Sequence, residues 1–281
     1  MNIRLVKQNE DVTMKSYTCV QYELLRPSEV KSRREQCPVV YIPVGSLEWH
    51  GVQNPLGTDG LKAHAICCEA ALRYGGVVLP TLFLGILGDS RGWGPEGWSG
   101  YTVTAHDQAS MEDTIFRTAR GLVANDWKVL VGVTGHDIEP QRDAIHDGIQ
   151  RACRGSDAKG FGITEGENWR GGTSMKYSMD HAGAWETSAM MFAHQERVCL
   201  DELREQMEAV GRADVETMQM KEPEGIGGWN PLKYASVELG QQIVEFCAHR
   251  IGRKAMDVLA GRVRPLEQAD RAFMDNPGPT D

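Results

Sequence analysis

The stretch that decides the fold is PVVYIPVGSLEWHGVQNPLGTDG, Pro38 to Gly60. It opens with a continuous apolar, β-branched run from Pro38 to Gly45, which reads as a buried strand ending in a glycine turn. Glu48, His50 and Asp59 follow, on a segment that also carries Pro43, Gly51, Pro55 and Gly57. All three are side chains that ligate metals. Glu48 and His50 are two apart, so in an extended segment they share a face and can point at one site. Asp59 stands at the start of the next helical pattern, where a carboxylate can offer both oxygens and bridge two metals. The glycines let the backbone bend tightly enough to bring it back. The plainer reading is a solvated polar loop with a capping aspartate. His136, at the end of another strand-like run, weighs against that.

The pattern continues outward. TDGLKAHAICCEAALRYGG (58–76) reads as a helix capped by Thr58 or Asp59, with apolar spacing at Leu61, Ala65, Cys68 and Leu72 and a stop at Gly75-Gly76. VVLPTLFLGIL (77–87) reads as a second strand. ASMEDTIFRTARGLVAND (109–126) reads as a helix capped by Ser110, with Glu112 and Asp113 favourable in its first turn. WKVLVGVTG (127–135) is a third strand, and IEPQRDAIHDGIQRACRG (138–155) and AWETSAMMFAHQ (184–195) are helical. LKYASVELGQQIVEFCAHRIGRKAMDVLAG (232–261) reads as one long amphipathic helix, and 270–281 as a flexible tail. The acidic stretch 201–225 reads as a solvated face and loop. No repeat or linker divides the chain, so residues 1–281 are read as one domain. Strand and helix alternate as in a mostly parallel α/β sheet with helices on both faces. Ligands gather at the carboxyl ends of such strands, where Glu48, His50, Asp59 and His136 all fall.

Composition narrows the function. A net charge of -9 and a pI near 5.4 exclude the basic footprint of a nucleic-acid binder. No apolar run is long enough to span a bilayer, and the N-terminus has no apolar signal segment, so no membrane partner is expected. Seven cysteines without a CxxC pair fit reduced thiols and a cytoplasmic setting. GDSRG (88–92) matches Gly-x-Ser-x-Gly, but the following WGPEGWSG does not open a helix, which sets a serine hydrolase aside. His64, His106, His146, His194 and His249 stand alone and read as surface or packing residues.

Three blocks carry a family resemblance. PVGSLEWHG followed by Asp59, VGVTGHD (131–137) and DHAGAWETSAMM (180–191) together resemble the creatininase family, in family order. The resemblance implies a three-layer α/β/α sandwich and a hydrolase with two divalent ions per chain (zinc, manganese or iron). By motif position Glu48 and His136 would hold one metal and His50 the other, with Asp59 as the bridge. His181 would shuttle protons, and Glu186 would act as a metal ligand or acid/base. A homo-oligomer, often a hexamer, is also implied.

The departures from that pattern point away from creatinine. Creatinine-cleaving members carry a glutamate two residues after the second-strand histidine, where this chain has Ile138, between Asp137 and Glu139. Glu186 is the first choice to replace it. Tyr177-Ser178 stand where those members have a Trp-Asp pair, and GDSRGWGPEGWSGYT (88–102) replaces their Pro-Gly-Thr turn. In that segment Arg91, Trp93, Trp98 and Tyr101, with Tyr177, suit a polyhydroxylated ring. The expected substrate is a small polar cyclic compound, a cyclic amide or an oxidised cyclitol, whose ring opens when hydroxide attacks a carbonyl. C–C cleavage of a cyclic diketone such as an oxidised inositol is the alternative, and a non-catalytic ligand-binding relative is the alternative from another class.

Overall fold

The computed structural model describes residues 19–86, 106–166, 180–222 and 224–262. Arg91, Trp93, Trp98, Tyr101 and Tyr177, the GDSRG segment and the tail 270–281 lie outside them. The described elements run α1 (Pro27–Gln36), β1 (Val39–Gly45), α2 (Thr58–Tyr74), β2 (Val77–Val78), β3 (Leu82–Phe83), α3 (Gln108–Ala124), β4 (Val129–Thr134), α4 (Glu139–Cys153), β5 (Lys159–Thr164), α5 (Ala184–His194), α6 (Leu200–Ala209), β6 (Thr217–Met218), β7 (Gly228–Trp229), α7 (Pro231–Tyr234) and α8 (Val237–Leu259).

The sheet is parallel. β1 lies at its middle, with β2 and β3 on one edge and β4 then β5 on the other. Alternation along β1 builds two cores. Val39 and Tyr41 face a cluster with Ile66, Trp185, Phe246 and Ile251 from α2, α5 and α8. Val40, Ile42 and Val44 face Met111, Ile115, Ile145 and Ile149 from α3 and α4. β1 and β4 are therefore covered on both sides, which is why they are continuous apolar runs. The result is the α/β/α sandwich expected from the sequence.

Five local readings are corrected. The second strand is two short strands, β2 and β3, because Pro80 between them has no N–H for the ladder. The buried face of α2 includes the expected Ala65 and Cys68 but also Lys62, Ala63, Ile66, Cys67, Ala70 and Ala71; Leu61 is only half-buried and Leu72 is exposed. Neither Thr58 nor Asp59 caps α2, whose N-cap is Gly57 with no side-chain cap. In α3 the cap is Asp107, which accepts from the Ser110 N–H at 2.8 Å. The closing helix breaks at Ala235, and α8 starts afresh with the Ser236 hydroxyl accepting from Leu239 N–H.

Within 201–225 the solvated-face reading also gives way in part. Residues 200–209 form α6, whose Leu203 and Met207 pack with Ala182, Met218 and Ile226 beside the end of the sheet. β5, which the apolar pattern does not show, contains Gly160 and Gly162. A Cβ at Gly162 would lie 2.5 Å from the His146 backbone nitrogen, so the glycine lets α4 close against the strand.

The same kind of approach fixes the sheet's active edge. A Cβ at Gly135 would meet the Asp59 carbonyl oxygen at 2.1 Å, and one at Gly45 would meet the Gly60 nitrogen at 2.2 Å. The start of α2 therefore rests directly on the ends of β1 and β4. Gly135→Ala is expected to force α2 away and lower stability by at least about 2 kcal/mol. Urea denaturation of the variant checks this; an unchanged midpoint would contradict it.

Candidate metal centre

Every group of the site leaves the carboxyl edge of the sheet or a helix start beside it. Glu48 and His50 follow β1, Asp59 is in the first turn of α2, and His136 follows β4. Glu165 follows β5, and Glu186 is in the first turn of α5. His181 stands just before α5 and forms an isolated bridge with Gly227, exchanging backbone hydrogen bonds of 3.0 and 2.8 Å. Glu48, His50, Asp59 and Glu186 are each at most 4% exposed.

The side chains meet as two overlapping triads. Glu48, Asp59 and His136 offer ligand atoms within 4.8 Å of one another, as do His50, Asp59 and Glu186. Asp59 belongs to both. A third grouping, Glu48, His50 and His181, brings His181 to the same place. The His50 and His181 rings stack with centroids 4.6 Å apart. Ile138 is half-buried at the start of α4, and Asp137 and Glu139 beside it are exposed; none of them joins the cluster.

The histidines are oriented by backbone carbonyls, which can only accept. His50 Nδ1 donates to the Glu48 carbonyl at 3.2 Å, His136 Nε2 to the Ile86 carbonyl at 3.1 Å, and His181 Nε2 to the Trp49 carbonyl at 2.9 Å. The opposite nitrogens of the first two face carboxylates. His50 Nε2 lies 3.2 Å from Asp59 Oδ1 and 3.4 Å from Glu186 Oε2. His136 Nδ1 lies 2.8 Å from Glu48 Oε1 and 3.3 Å from Asp59 Oδ2. Among the described residues Glu48 Oε1 and Asp59 Oδ2 are buried with the His136 ring nitrogen as their neighbouring polar group. A lone pair aimed at buried carboxylate oxygens needs a cation between them. This donor set of imidazole nitrogen and carboxylate oxygen fits zinc, manganese or iron, and the N–H held by a carbonyl is the usual support of a ligating histidine.

Electrostatics agree with that reading. Burial alone pushes the His50 pKa down, but the Asp59 and Glu186 carboxylates outweigh it and hold it up at about 9. His136 is likewise depressed by burial and then raised well above the ordinary histidine range by Glu48 and Asp59. Without metal, protons occupy the places between imidazole and carboxylate. Burial raises the Asp59 carboxyl, yet His50 and His136 win and hold it well below its usual range. His181 is lowered by burial and then by His50, so its ring is neutral at neutral pH.

Two charged residues of the site were absent from the sequence reading. Lys62, one turn beyond Asp59 on α2, reaches Glu165 Oε1 at 2.6 Å and contacts Glu186 Oε1. Burial disfavours its charge, but Glu165, Glu186 and Asp59 more than restore it. Glu165 is pushed well up by burial, only partly offset by Lys62. The other oxygen of Glu186 accepts from the Ala182 N–H, and the residue between His181 and Gly183 takes a left-handed φ of 57° to present it. Asp180 accepts from the N–H groups of Trp185 and Glu186 at 2.9 and 3.1 Å, fixing the start of α5. Its carboxyl is pushed up to about 8 by burial and by Glu186.

Fold and site define a class: an α/β protein with a buried carboxylate–imidazole cluster at the carboxyl edge of a parallel sheet. The chain belongs to the creatininase family, whose model, described as creatinine amidohydrolase, matches residues 23–254. It is 26% identical over 229 residues to the creatinine amidohydrolase of Pseudomonas putida, covering 76% of this chain and 86% of that protein. A shorter match, 31% over 72 residues, is to the 3-dehydro-scyllo-inosose hydrolase of Thermotoga maritima; it covers 26% of this chain and 23% of that protein. Among solved structures, a manganese creatininase superposes with a TM-score of 0.63 at 24% identity, over 92% of this chain and all (100%) of that one. A mutant creatininase of Zn-Zn type does so with a TM-score of 0.64 at 24% identity, covering 92% and 99%. Membership makes the chain a hydrolase of this family. No helix among the described residues is long and apolar enough to cross a membrane.

The histidine shifts set a pH dependence. The folded His50 pKa is about 9 against an ordinary 6.5, so in metal-free protein its contribution to stability is complete below about pH 6.5 and fades as pH rises through about 9. His136 acts in the same direction. Urea unfolding of chelator-treated protein should show stability falling across that window. A rise there would contradict the arrangement.

Proposed function

We propose that the cluster holds two divalent ions, one on Glu48, Asp59 and His136 and one on His50, Asp59 and Glu186, with Asp59 shared. The observation that carries this is the pair of overlapping triads, each with a carbonyl-oriented histidine whose second nitrogen faces buried carboxylates. Glu186 supplies the carboxylate that Ile138 cannot. Divalent ions held by these residues would lower the pKa of water and polarise a substrate carbonyl. Asp59, Glu48 and Glu186 neutralise their charge, and the backbone-held imidazoles fix their positions. His181, neutral and stacked on His50, takes a proton and hands it to the leaving group.

The substrate is a small polar ring, a cyclic amide or an oxidised cyclitol. Support comes from the relatives' named activities, one on creatinine and one on an inosose, and from the residues of the 87–105 and 167–179 segments. Described residues at the ends of both segments touch the cluster: the Ile86 carbonyl holds His136, and Asp180 holds the backbone of Glu186. Arg91, Trp93, Trp98, Tyr101 and Tyr177 are the proposed ring-binding groups on sequence grounds. Where the leaving group is a stabilised carbanion in place of an amine, the same groups cleave a C–C bond. The working form is a homo-oligomer of the kind the resemblance implies.

Cyclic amides and oxidised cyclitols should be screened with and without a chelator. One of these classes should open, and chelation should abolish the reaction; turnover untouched by chelation would remove the metal reading. His181→Ala should keep both metals while turnover drops about a hundred-fold or more. Glu186→Gln should lower bound metal from about two ions per chain to about one, read by elemental analysis. Two ions retained in that variant would take Glu186 out of the ligand set.

A further inference from the structure

Lys62 is a charged group of the site that this chemistry leaves unused. It is 1% exposed, on the face of α2 that packs toward the sheet. Its Nζ lies 2.6 Å from Glu165 Oε1, contacts Glu186 Oε1, and stands 3.9 Å from Asp59 Oδ1. The ammonium also lies 5.5 Å from the Trp185 ring centroid. Asp59 and Glu186 are two of the three members of one triad. Glu48 and His136, which complete the other triad, have no contact with Lys62 among the described ion pairs. The two triads are therefore unequal in charge. Asp59 is common to both, so the difference lies in the other carboxylate: Glu186 contacts the cation, and Glu48 has no ion pair with it among the described residues.

In a buried, water-poor place that inequality acts directly on a dication. The ammonium repels it and draws on the negative charge of Glu186. Glu165 holds the ammonium in place, and it belongs to neither triad. A lysine this deep is costly to keep charged, and it is retained only because carboxylates surround it. A purely structural role, tying α2, β5 and α5 together, is the plainer alternative, and it makes a different prediction.

We infer that Lys62 is a built-in cation that holds the His50–Asp59–Glu186 centre at lower metal affinity than the Glu48–Asp59–His136 centre, so that the two fill in order. This rests on the two-metal reading above. Occupancy of the second centre then follows the supply of metal, and it is the centre from which metal is lost first.

The test is titration of metal-free, full-length protein with Mn²⁺, with free ion read by electron paramagnetic resonance and bound ion by elemental analysis. Wild-type protein should bind a second ion at least about ten-fold more weakly than the first, and Lys62→Met should tighten that second step by about ten-fold or more while leaving the first unchanged. Because Lys62→Met leaves Glu165 buried without its partner, Lys62→Met/Glu165→Gln is measured beside it and should show the same tightening. Two ions in all three proteins with an unchanged gap, or loss of the second ion from the variants alone, overturns the inference and leaves the two-metal reading standing. A melting temperature lowered in the variants with the gap untouched has the same meaning and marks Lys62 as structural. One ion in the wild type and two in the variants overturns ordered filling together with the two-metal reading of the native protein, and marks Lys62 as a block on the second position. One ion or none in all three overturns both.

Discussion

The structure depends on one constraint: three carboxylates, Glu48, Asp59 and Glu186, are buried together and must be matched by positive charge. Two imidazoles face them, each with its outer N–H already given to a backbone carbonyl. Without metal the match is made by protons, which is why both rings are held far more basic than usual. On the proposed metal reading, those protons would leave when the ions bind. Lys62 supplies a further, permanent cation from the side of α5 and β5. Folding and pH are thus coupled through the same few atoms, and on the proposed reading metal binding would be coupled to them too.

The sheet exists, for this purpose, to bring distant residues to one edge. Parallel strands deliver their following loops to the same side, so β1, β4 and β5 place Glu48, His136 and Glu165 together despite their separation in sequence. The glycines at the ends of β1 and β4 let the start of α2 sit on those ends, which carries Asp59 to the centre of the cluster. α5 also presents its first turn to the cluster. Its first turn is fixed by Asp180, and the left-handed Ala182 turns an N–H onto Glu186.

Much of this was legible in the sequence because it is written in strand-end motifs. The apolar runs at 38–45 and 127–135 are buried on both faces, so they stand out, and the ligand-type residues follow them directly. Other features left no such trace. Lys62 lies among small apolar residues on α2, where pattern reading takes a lysine for a solvent-facing position and shifts the helix face toward Leu61 and Leu72. β5 holds glycines where α4 packs closest, which erased its apolar signature and hid Glu165 at its end. Caps were misplaced where two polar residues competed: Asp107 took the role expected of Ser110, and Ser236 split a helix that the apolar period alone makes continuous. Asp59 was expected to cap α2 as well as to bind metal, and its carboxylate is turned wholly to the cluster.

The central claim is that a shared Asp59 joins two metal positions. The most direct measurement is elemental analysis of purified protein beside its Asp59→Asn variant. The account predicts about two divalent ions per chain and the loss of both in the variant, because each position needs an oxygen of Asp59. A wild-type protein that stays folded without metal and ignores chelation, or a variant that keeps both ions, would contradict it.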